Sequence, residues 1–268
     1  MDFNELENRG LVMLGCGKMG SAMLAGWLER GLTPQSVWIV DPAPSDWVRG
    51  TGAQINEDLP TSPAIVIVAV KPQMMKAALP TLAGYAGGET LFVSVAAGTS
   101  LATYAELLSP ETPIIRAMPN TPAAIGQGIT ALIGSHASTP AHMELAEGLL
   151  SAVGKTVRLA SEAQMDAVTG LSGSGPAYVF HLIECLASAG QAQGLSPELS
   201  MELAKATVAG AGALAVSGPE TPEQLRVNVT SPNGTTQAGL EVLMDALPAL
   251  MRATVRAATE RSKELSRG

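Results

Sequence analysis

Aromatic side chains are scarce in this chain of 268 residues: Phe, Trp and Tyr together make up 3%. Its core must therefore come from Ala, Leu, Val, Ile and the 12 Met, which suit close helix–sheet and helix–helix contacts. Cysteine occurs only as Cys16 and Cys185. Two thiols so far apart build no disulfide framework, and they fit a reducing compartment. The histidines are His136, His142 and His181, with no His-x-x-x-His pair or carboxylate cluster beside them, so no metal is expected. Charged residues make up 15%, and the net charge is −8. A surface of that sign repels phosphodiester backbones and the sequence has no basic stripe, which argues against nucleic-acid binding. No run of about 18 residues stays free of Gly, Pro or polar interruption, so no membrane span is expected. The first ten residues are acidic and polar, unlike the apolar core of a signal peptide. These absences describe a soluble cytoplasmic protein.

Gly and Pro number 28 and 18, dispersed and without repeats, and hydrophobic residues reach 46%, which excludes collagen-like and disordered classes. At roughly 100–200 residues per domain, the length predicts one large or two modest domains. The first half alternates strand-like and helix-like segments. Leu11–Leu14, Val37–Val40, Ala64–Val70, Leu91–Val95 and Pro113–Arg116 read as strands, and the third, AIVIVAV, as one buried on both faces. Helices are expected up to about Arg30, from Lys71-Pro72 onward and over Leu101–Leu108. Two more strands are expected at Ile129–Ile133 and Lys155–Leu159. The pattern predicts a parallel, doubly wound α/β domain of Rossmann type over residues 1–160. From Ser161 only helical periodicity remains, over about 161–170, 175–193, 197–217, 221–230, 235–245 and 247–266. Gly194, Gly218 and Gly234 mark breaks, and Pro197, Pro222 and Pro248 sit beside helix starts. Residues 161–268 are thus expected to form an all-α domain, in which Gly210 and Gly212 let helices approach closely.

Gly15-Cys16-Gly17-Lys18-Met19-Gly20 is a G-x-G-x-x-G element between a strand and a helix. Its first glycine permits a tight turn and its second lets a pyrophosphate reach the backbone. Its third lets the helix pack on the sheet with its N-terminal amides aimed at the anion. Asp41 ends the second strand 21 residues after Gly20, near the spacing of a ribose partner. A carboxylate there accepts from a ribose 2′-OH and repels a 2′-phosphate, favouring NADH over NADPH; the alternative is that Asp41 only caps the strand. Lys71 ends the AIVIVAV strand at the sheet edge where such folds bind ligands, either neutralising charge or reaching solvent. Pro119 and Pro122 fix an extended path around Asn120.

Two later segments, Leu171-Ser172-Gly173-Ser174-Gly175-Pro176-Ala177-Tyr178 and Val229 to Leu240 (VTSPNGTTQAGL), complete a pattern. Together with the glycine element, Ala69-Val70-Lys71-Pro72 and Met118-Pro119-Asn120-Thr121-Pro122, they resemble the pyrroline-5-carboxylate reductase family from Leu11 to about Ala246. Asn233 stands where that family more often has glycine, and Met244 where it usually has a polar residue. The resemblance implies hydride transfer from NADPH or NADH to the cyclic imine 1-pyrroline-5-carboxylate, giving L-proline as the last step of proline biosynthesis. It also implies homodimerisation through the C-terminal helices, with rings of dimers in some members, and a substrate site between the cofactor domain and the interface helices. Carried onto this chain, the cofactor positions are Gly15, Cys16, Gly17, Lys18, Met19, Gly20, Asp41, Asn56, Ala69, Val70, Lys71, Pro72 and Asn120. The substrate positions are Ser174, Ser231, Asn233, Gly234, Thr235 and Thr236.

Imine reduction needs a held hydride donor, an anion site for the carboxylate and a protonated ring nitrogen. Ser231 to Thr236 form a turn into a helix whose amides and hydroxyls suit a carboxylate, the alternative being ordinary N-capping. Ser172 to Gly175 either pack beside substrate or serve the turn alone. His181 reads as a packed helix residue. An iminium arrives protonated from solution, so a strong acid is dispensable, and the resemblance makes Thr236 the catalytic position, orienting the ring nitrogen. A β-hydroxyacid dehydrogenase shares the architecture and needs a lysine on the first long helix of its second domain, yet residues 163–193 contain none. A different imine oxidoreductase would also fit this pattern, as would a non-catalytic nucleotide-binding oligomer. Such an oligomer leaves the Ser231–Thr236 turn without a purpose.

Overall fold

The computed structural model describes residues 3–267. It divides into two compact units, Met1–Gly173 with Ala258–Gly268, and Ser174–Ala257. The first contains eight strands: β1 Leu11–Leu14, β2 Val37–Val40, β3 Gln54–Ile55, β4 Ile65–Val68, β5 Leu91–Ser94, β6 Ile114–Met118, β7 Gly128–Gly134 and β8 Gly154–Arg158. They form one sheet in the order β3-β2-β1-β4-β5-β6-β7-β8. Chain order reverses between β1 and β4, which pair in parallel from Leu11 against Ile65 to Leu14 against Val68. This is the switch point at which open α/β sheets bind ligands, beyond the carboxyl ends of the strands.

Periodicity accounts for the layers. All four residues of β1, β4 and β5 are buried. Leu11, Met13, Ile65, Ile67, Leu91 and Val93 face one core, and Val12, Leu14, Val66, Val68 and Phe92 face the other. Short helices α1 Asn4–Arg9, α2 Lys18–Glu29, α3 Asp46–Arg49, α4 Met75–Ala78, α5 Leu101–Leu107, α6 Pro140–Leu150 and α7 Met165–Val168 complete the unit. Trp27 on α2 is fully buried, and its indole N–H donates to the Leu149 carbonyl on α6 at 2.9 Å. One of the few aromatics is thereby satisfied in the core.

The sheet departs from the all-parallel expectation at one seam: β7 runs antiparallel to β6, and β8 then pairs parallel to β7. Helix α6 forms where the sequence reading places no helix. It is fixed by a reciprocal cap: Thr139 Oγ1 accepts from the His142 amide at 3.2 Å, and His142 Nδ1 accepts from the Thr139 amide at 3.2 Å. Lys71-Pro72 opens a 3₁₀ turn, Pro72–Met74, before the single turn of α4.

The second unit is helical: α8 Gly175–Ala192, α9 Pro197–Ser217, α10 Pro222–Asn228 and α11 Thr235–Arg267, whose last residues belong to the first unit. Helix α11 is continuous, so the break expected between 245 and 247 is absent. Pro248 removes one amide, the partner of the Met244 carbonyl, but strong helix formers on both sides carry the helix through. The compact division falls at 173/174, whereas the sequence places the domain boundary at 160/161. Residues Thr169–Gly173 form a π-helical turn. It is tied within the first unit by the Asn120 amide, which donates to the Ser172 carbonyl at 3.2 Å.

The helical unit buries little of its own apolar surface. Phe180 is 60% exposed, Leu214 54%, Val216 71% and Val242 76%. The close α8–α9 approach occurs at Gly190, where a Cβ would lie 3.1 Å from Ser200 Oγ, and not at Gly210 or Gly212, which meet nothing within 4 Å. Contrary to the sequence expectation, Pro197–Ser217 is long and apolar enough to span a membrane by length and composition. Its glycines and serines interrupt the run without lowering its mean hydropathy below that of a span.

Candidate active site

The glycine element forms the connection between β1 and α2. Gly15 has φ +84°, and a Cβ there would lie 2.9 Å from Val70 Cγ1 and 3.1 Å from the Ala69 carbonyl oxygen. This position requires glycine for both conformation and space. At Gly20 a Cβ would meet the Gly15 carbonyl oxygen at 3.0 Å and Met13 Sδ at 3.2 Å, the close helix–sheet packing expected of the third glycine. Gly17 differs: it precedes α2, and a Cβ there would meet nothing within 4 Å. The space over Gly17 is thus open at the amino end of a 12-residue helix with no acidic residue in its first turn. The unpaired N-terminal amides and the helix dipole favour an anion there, so the residues fit a dinucleotide pyrophosphate.

Ala69, Val70 and Asp41 meet this loop, and their neighbours surround it. The Ala69 amide donates to the Leu14 carbonyl at 2.8 Å, which sets Ala69 and Val70 beside Gly15. Lys71 and Pro72 follow and are exposed, as is Lys18, and neither lysine has an ion-pair partner among the described residues. Met19 is half-buried in the first turn of α2. Asp41 follows β2, and its Oδ2 accepts from the Cys16 amide at 2.7 Å while Oδ1 accepts from the Ala43 amide at 2.8 Å. The Asp41 carboxylate therefore touches the glycine loop directly. Asn56, with φ +54°, clamps the Asp41 peptide: its Oδ1 accepts from the Asp41 amide at 3.0 Å and its Nδ2 donates to the Asp41 carbonyl at 2.9 Å.

Cys16 is buried in the loop, and burial raises its thiol pKa, with the Asp41 charge adding to the rise and a Ser21 hydrogen bond opposing it. It stays a neutral filler of the turn. Asn120 follows β6, two strands from β4. Its Oδ1 accepts from the Ile129 amide at 2.9 Å and its Nδ2 donates to Ser172, so the side chain organises its own loop.

A buried polar network at the carboxyl ends of β5 and β6 is almost invisible in the sequence. Arg116 is 5% exposed, and its Nη1 meets Glu162 Oε1 at 2.6 Å; the same oxygen accepts from the Leu101 amide at 2.8 Å. Ser94, opposite Arg116 in the sheet, hydrogen-bonds the Tyr104 hydroxyl, whose pKa is raised chiefly by burial. The one local signal is a lone arginine inside the apolar run Ile114–Met118.

The remaining candidate positions lie in the helical unit. Ser174 precedes α8 and makes no side-chain cap. Ser231 to Thr236 form the turn between α10 and α11. The Gly234 amide donates to the Ser231 carbonyl at 3.0 Å, and the Asn233 amide to Gln237 Oε1 at 2.8 Å. Asn233 has φ +58°, the left-handed region in which asparagine is the usual substitute for glycine. The departure from the family pattern is therefore conservative. The first helical bond runs from the Ala238 amide to the Gly234 carbonyl, leaving the amides of Thr235, Thr236 and Gln237 ahead of it. Among the described residues the hydroxyls of Ser231, Thr235 and Thr236 form no hydrogen bond, and all three residues are exposed. Gln237 and the Ser231 carbonyl close the turn, so hydroxyl N-capping is not its purpose.

On α8, His181 is exposed and not packed as expected, and exposed Cys185 stands near it.

Residues 162–265 match the family described as pyrroline-5-carboxylate reductase dimerisation, and residues 11–98 the one described as NADP oxidoreductase coenzyme F420-dependent. The chain is 37% identical over 263 residues to a pyrroline-5-carboxylate reductase of Pseudomonas aeruginosa, covering 96% of each. Its fold resembles that of a pyrroline-5-carboxylate reductase from Coxiella burnetii, with a TM-score of 0.89, 31% identity and coverage of 96% of this chain and 98% of that one. It also resembles the Plasmodium falciparum pyrroline carboxylate reductase with NADP bound, with a TM-score of 0.84, 28% identity and coverage of 97% and 99%. The glycine loop at the switch point and the helical unit thus occur together in one homologous frame, and the chain belongs to the pyrroline-5-carboxylate reductase family.

Proposed function

We propose that this chain reduces the cyclic imine 1-pyrroline-5-carboxylate to L-proline, the last step of proline biosynthesis, using a nicotinamide dinucleotide bound at the β1–β4 switch point. The observation that carries the reading is the Ser231–Thr236 turn. It offers free amides and three unengaged hydroxyls at the start of a 33-residue helix, a receptor for a carboxylate that needs no arginine. The dihydronicotinamide supplies the hydride when bound. Gly15 and Gly20 hold the loop shape, Gly17 leaves room for the pyrophosphate, and the positive charges of Lys18 and Lys71 offset its negative charge. Ser231, Asn233, Gly234 and Thr235 hold the substrate carboxylate, and Ser174 is a further substrate position. Thr236 orients the ring nitrogen, which enters protonated, so positioning replaces general acid catalysis.

Asp41 assigns the ribose end. Its carboxylate accepts from a 2′-OH and opposes a 2′-phosphate, so we read a preference for NADH, whereas the Plasmodium falciparum relative is described with NADP. The functional boundary is kept at 160/161, supported by the start of the dimerisation match at residue 162. A second copy covers the apolar faces of α8, α9 and α11 to give a homodimer, with larger rings of dimers built from it. Burial in that interface explains why α9 is apolar without spanning a membrane, and the chain works in the cytoplasm.

The test is turnover: purified protein with 1-pyrroline-5-carboxylate and either NADH or NADPH, followed by loss of the nicotinamide absorbance. Steady consumption with at least one cofactor is expected. No consumption with either overturns the proposal and favours a non-catalytic nucleotide-binding oligomer.

A further inference from the structure

The buried polar network of Arg116, Glu162, Tyr104 and Ser94 surrounds one short connection, residues 95–100, between β5 and α5. The connection is tied along its length. The Val95 amide donates to the Val68 carbonyl of β4 at 3.0 Å. The Ala96 amide donates to Ser94 Oγ at 3.2 Å, and that oxygen also hydrogen-bonds the Tyr104 hydroxyl. Thr99 is buried and lies beside the same hydroxyl. At the far end Glu162 Oε1 accepts from the Leu101 amide at 2.8 Å, while Arg116 Nη1 holds that oxygen from within the sheet at 2.6 Å. Ala96 is buried as well, so the exposed tip is Ala97, followed by Gly98 at φ +73°.

Stability alone does not call for this arrangement. Tyr104 is 1% exposed and Arg116 5%, and apolar side chains of similar volume often fill such sites without loss of stability. Directed hydrogen bonds add a single fixed conformation. The place they fix is one that a dinucleotide at the switch point requires. In that reading Asp41, the ribose partner, follows β2 on one side of β1, and the pyrophosphate lies at the start of α2. The other half of the dinucleotide then extends to the opposite side, over β4 and β5. Their carboxyl ends are one and two strand spacings from β1, at about 4.8 Å each.

We propose that Tyr104, Arg116 and Glu162 are positioning residues that hold residues 95–100 rigid, with Ala97 at the tip, as the wall that sets the nicotinamide end of the cofactor. They act through the backbone of the connection and not by contact with the cofactor. This role rests on the reading of a dinucleotide at the β1–β4 switch point and is independent of which imine is reduced.

The test compares two ligands of the full-length protein by calorimetry: NADH, and ADP-ribose, which lacks only the nicotinamide ring. The native protein should bind NADH more tightly. Tyr104→Phe keeps the ring and removes the hydroxyl, so NADH affinity should fall about 2- to 12-fold, the equivalent of one hydrogen bond, with ADP-ribose affinity unchanged. Glu162→Gln keeps an oxygen for the Leu101 amide and removes the charge facing Arg116, and should lower the NADH to ADP-ribose ratio in the same direction. Urea unfolding is measured on both variants. A loss of stability with an unchanged ratio makes the network structural only and overturns the proposal. So does an equal loss of both ligands, or a native protein that binds NADH no better than ADP-ribose. A ratio that falls as expected in a protein that does not turn over the imine supports the positioning role and overturns the reductase reading alone.

Discussion

Substituting Gly17 separates the binding function of the glycine loop from its folding function. The residue has φ −72° and ψ −157°, within the range of an L-residue, and an added Cβ meets nothing within 4 Å. Gly17→Ala is therefore expected to leave stability unchanged or to raise it by up to about 1 kcal/mol, because alanine has less freedom to lose from the unfolded chain. The methyl group would occupy the space over the first amides of α2, where the proposed pyrophosphate site lies. Displacing one charge-assisted hydrogen bond there costs about 1.5–3 kcal/mol, a loss of roughly 10- to 150-fold in affinity. Gly15→Ala is the contrasting case, since φ +84° and a 2.9 Å approach to Val70 combine. Left-handed strain of about 1–2 kcal/mol and overpacking of about 1–3 kcal/mol should together lower stability by at least about 2 kcal/mol. Urea unfolding measures the first quantity in each variant, and titration of nicotinamide fluorescence the second. A Gly17→Ala protein that binds cofactor with native affinity would refute the reasoning, because no phosphate could then be passing over that amide.

Asp41→Asn removes the charge while keeping an oxygen for one of the two amides it holds, so the ratio of NADPH to NADH affinity should rise. At about 4 Å two unit charges repel by about 1 kcal/mol in water, which predicts a change of about fivefold, and an unchanged ratio makes Asp41 structural only. Thr236→Ala should lower kcat/KM for the imine by about tenfold, the equivalent of one lost hydrogen bond, with cofactor affinity unchanged. An equal fall in cofactor affinity would put Thr236 in the wrong site. His142 should titrate below its usual value of about 6.5, because burial disfavours its charged form more than the charge of Glu5 favours it. Its neutral ring accepts the Thr139 amide. The stability of that cap is complete above about pH 6.5 and lost as pH falls through the lower folded-state value. Proton NMR of the imidazole follows the midpoint, and a midpoint at or above the usual value contradicts the assignment.

The strands are legible because burial on both faces writes itself as uninterrupted apolar runs, as in Ile65–Val68. The glycine loop is legible because its three glycines answer three separate local demands. Helix α6 carries a local start signal, Thr139 with Pro140 and His142 behind it, that the absence of charge across Ala117–Met143 masks, whereas the continuity of α11 through Pro248 depends on neighbouring propensity that outweighs a local signal. Asn233 lies between these cases: the sequence marks it as a departure from glycine, and its φ of +58° explains why asparagine fits.

Sequence alone determined the α/β-then-helical order, the glycine loop between β1 and α2 and the acidic residue after β2, because these follow from periodicity, glycine chemistry and spacing along the chain. Tertiary structure decided which groups meet. It set Asp41 against the Cys16 amide, 25 residues away, and Arg116 against Glu162, 46 residues away. It also left the hydroxyls of the Ser231–Thr236 turn unengaged while Gln237 closed the turn. Hydrogen bonds and charge pairs depend on distances of a few ångströms, and those are set by the packing of sheet and helices.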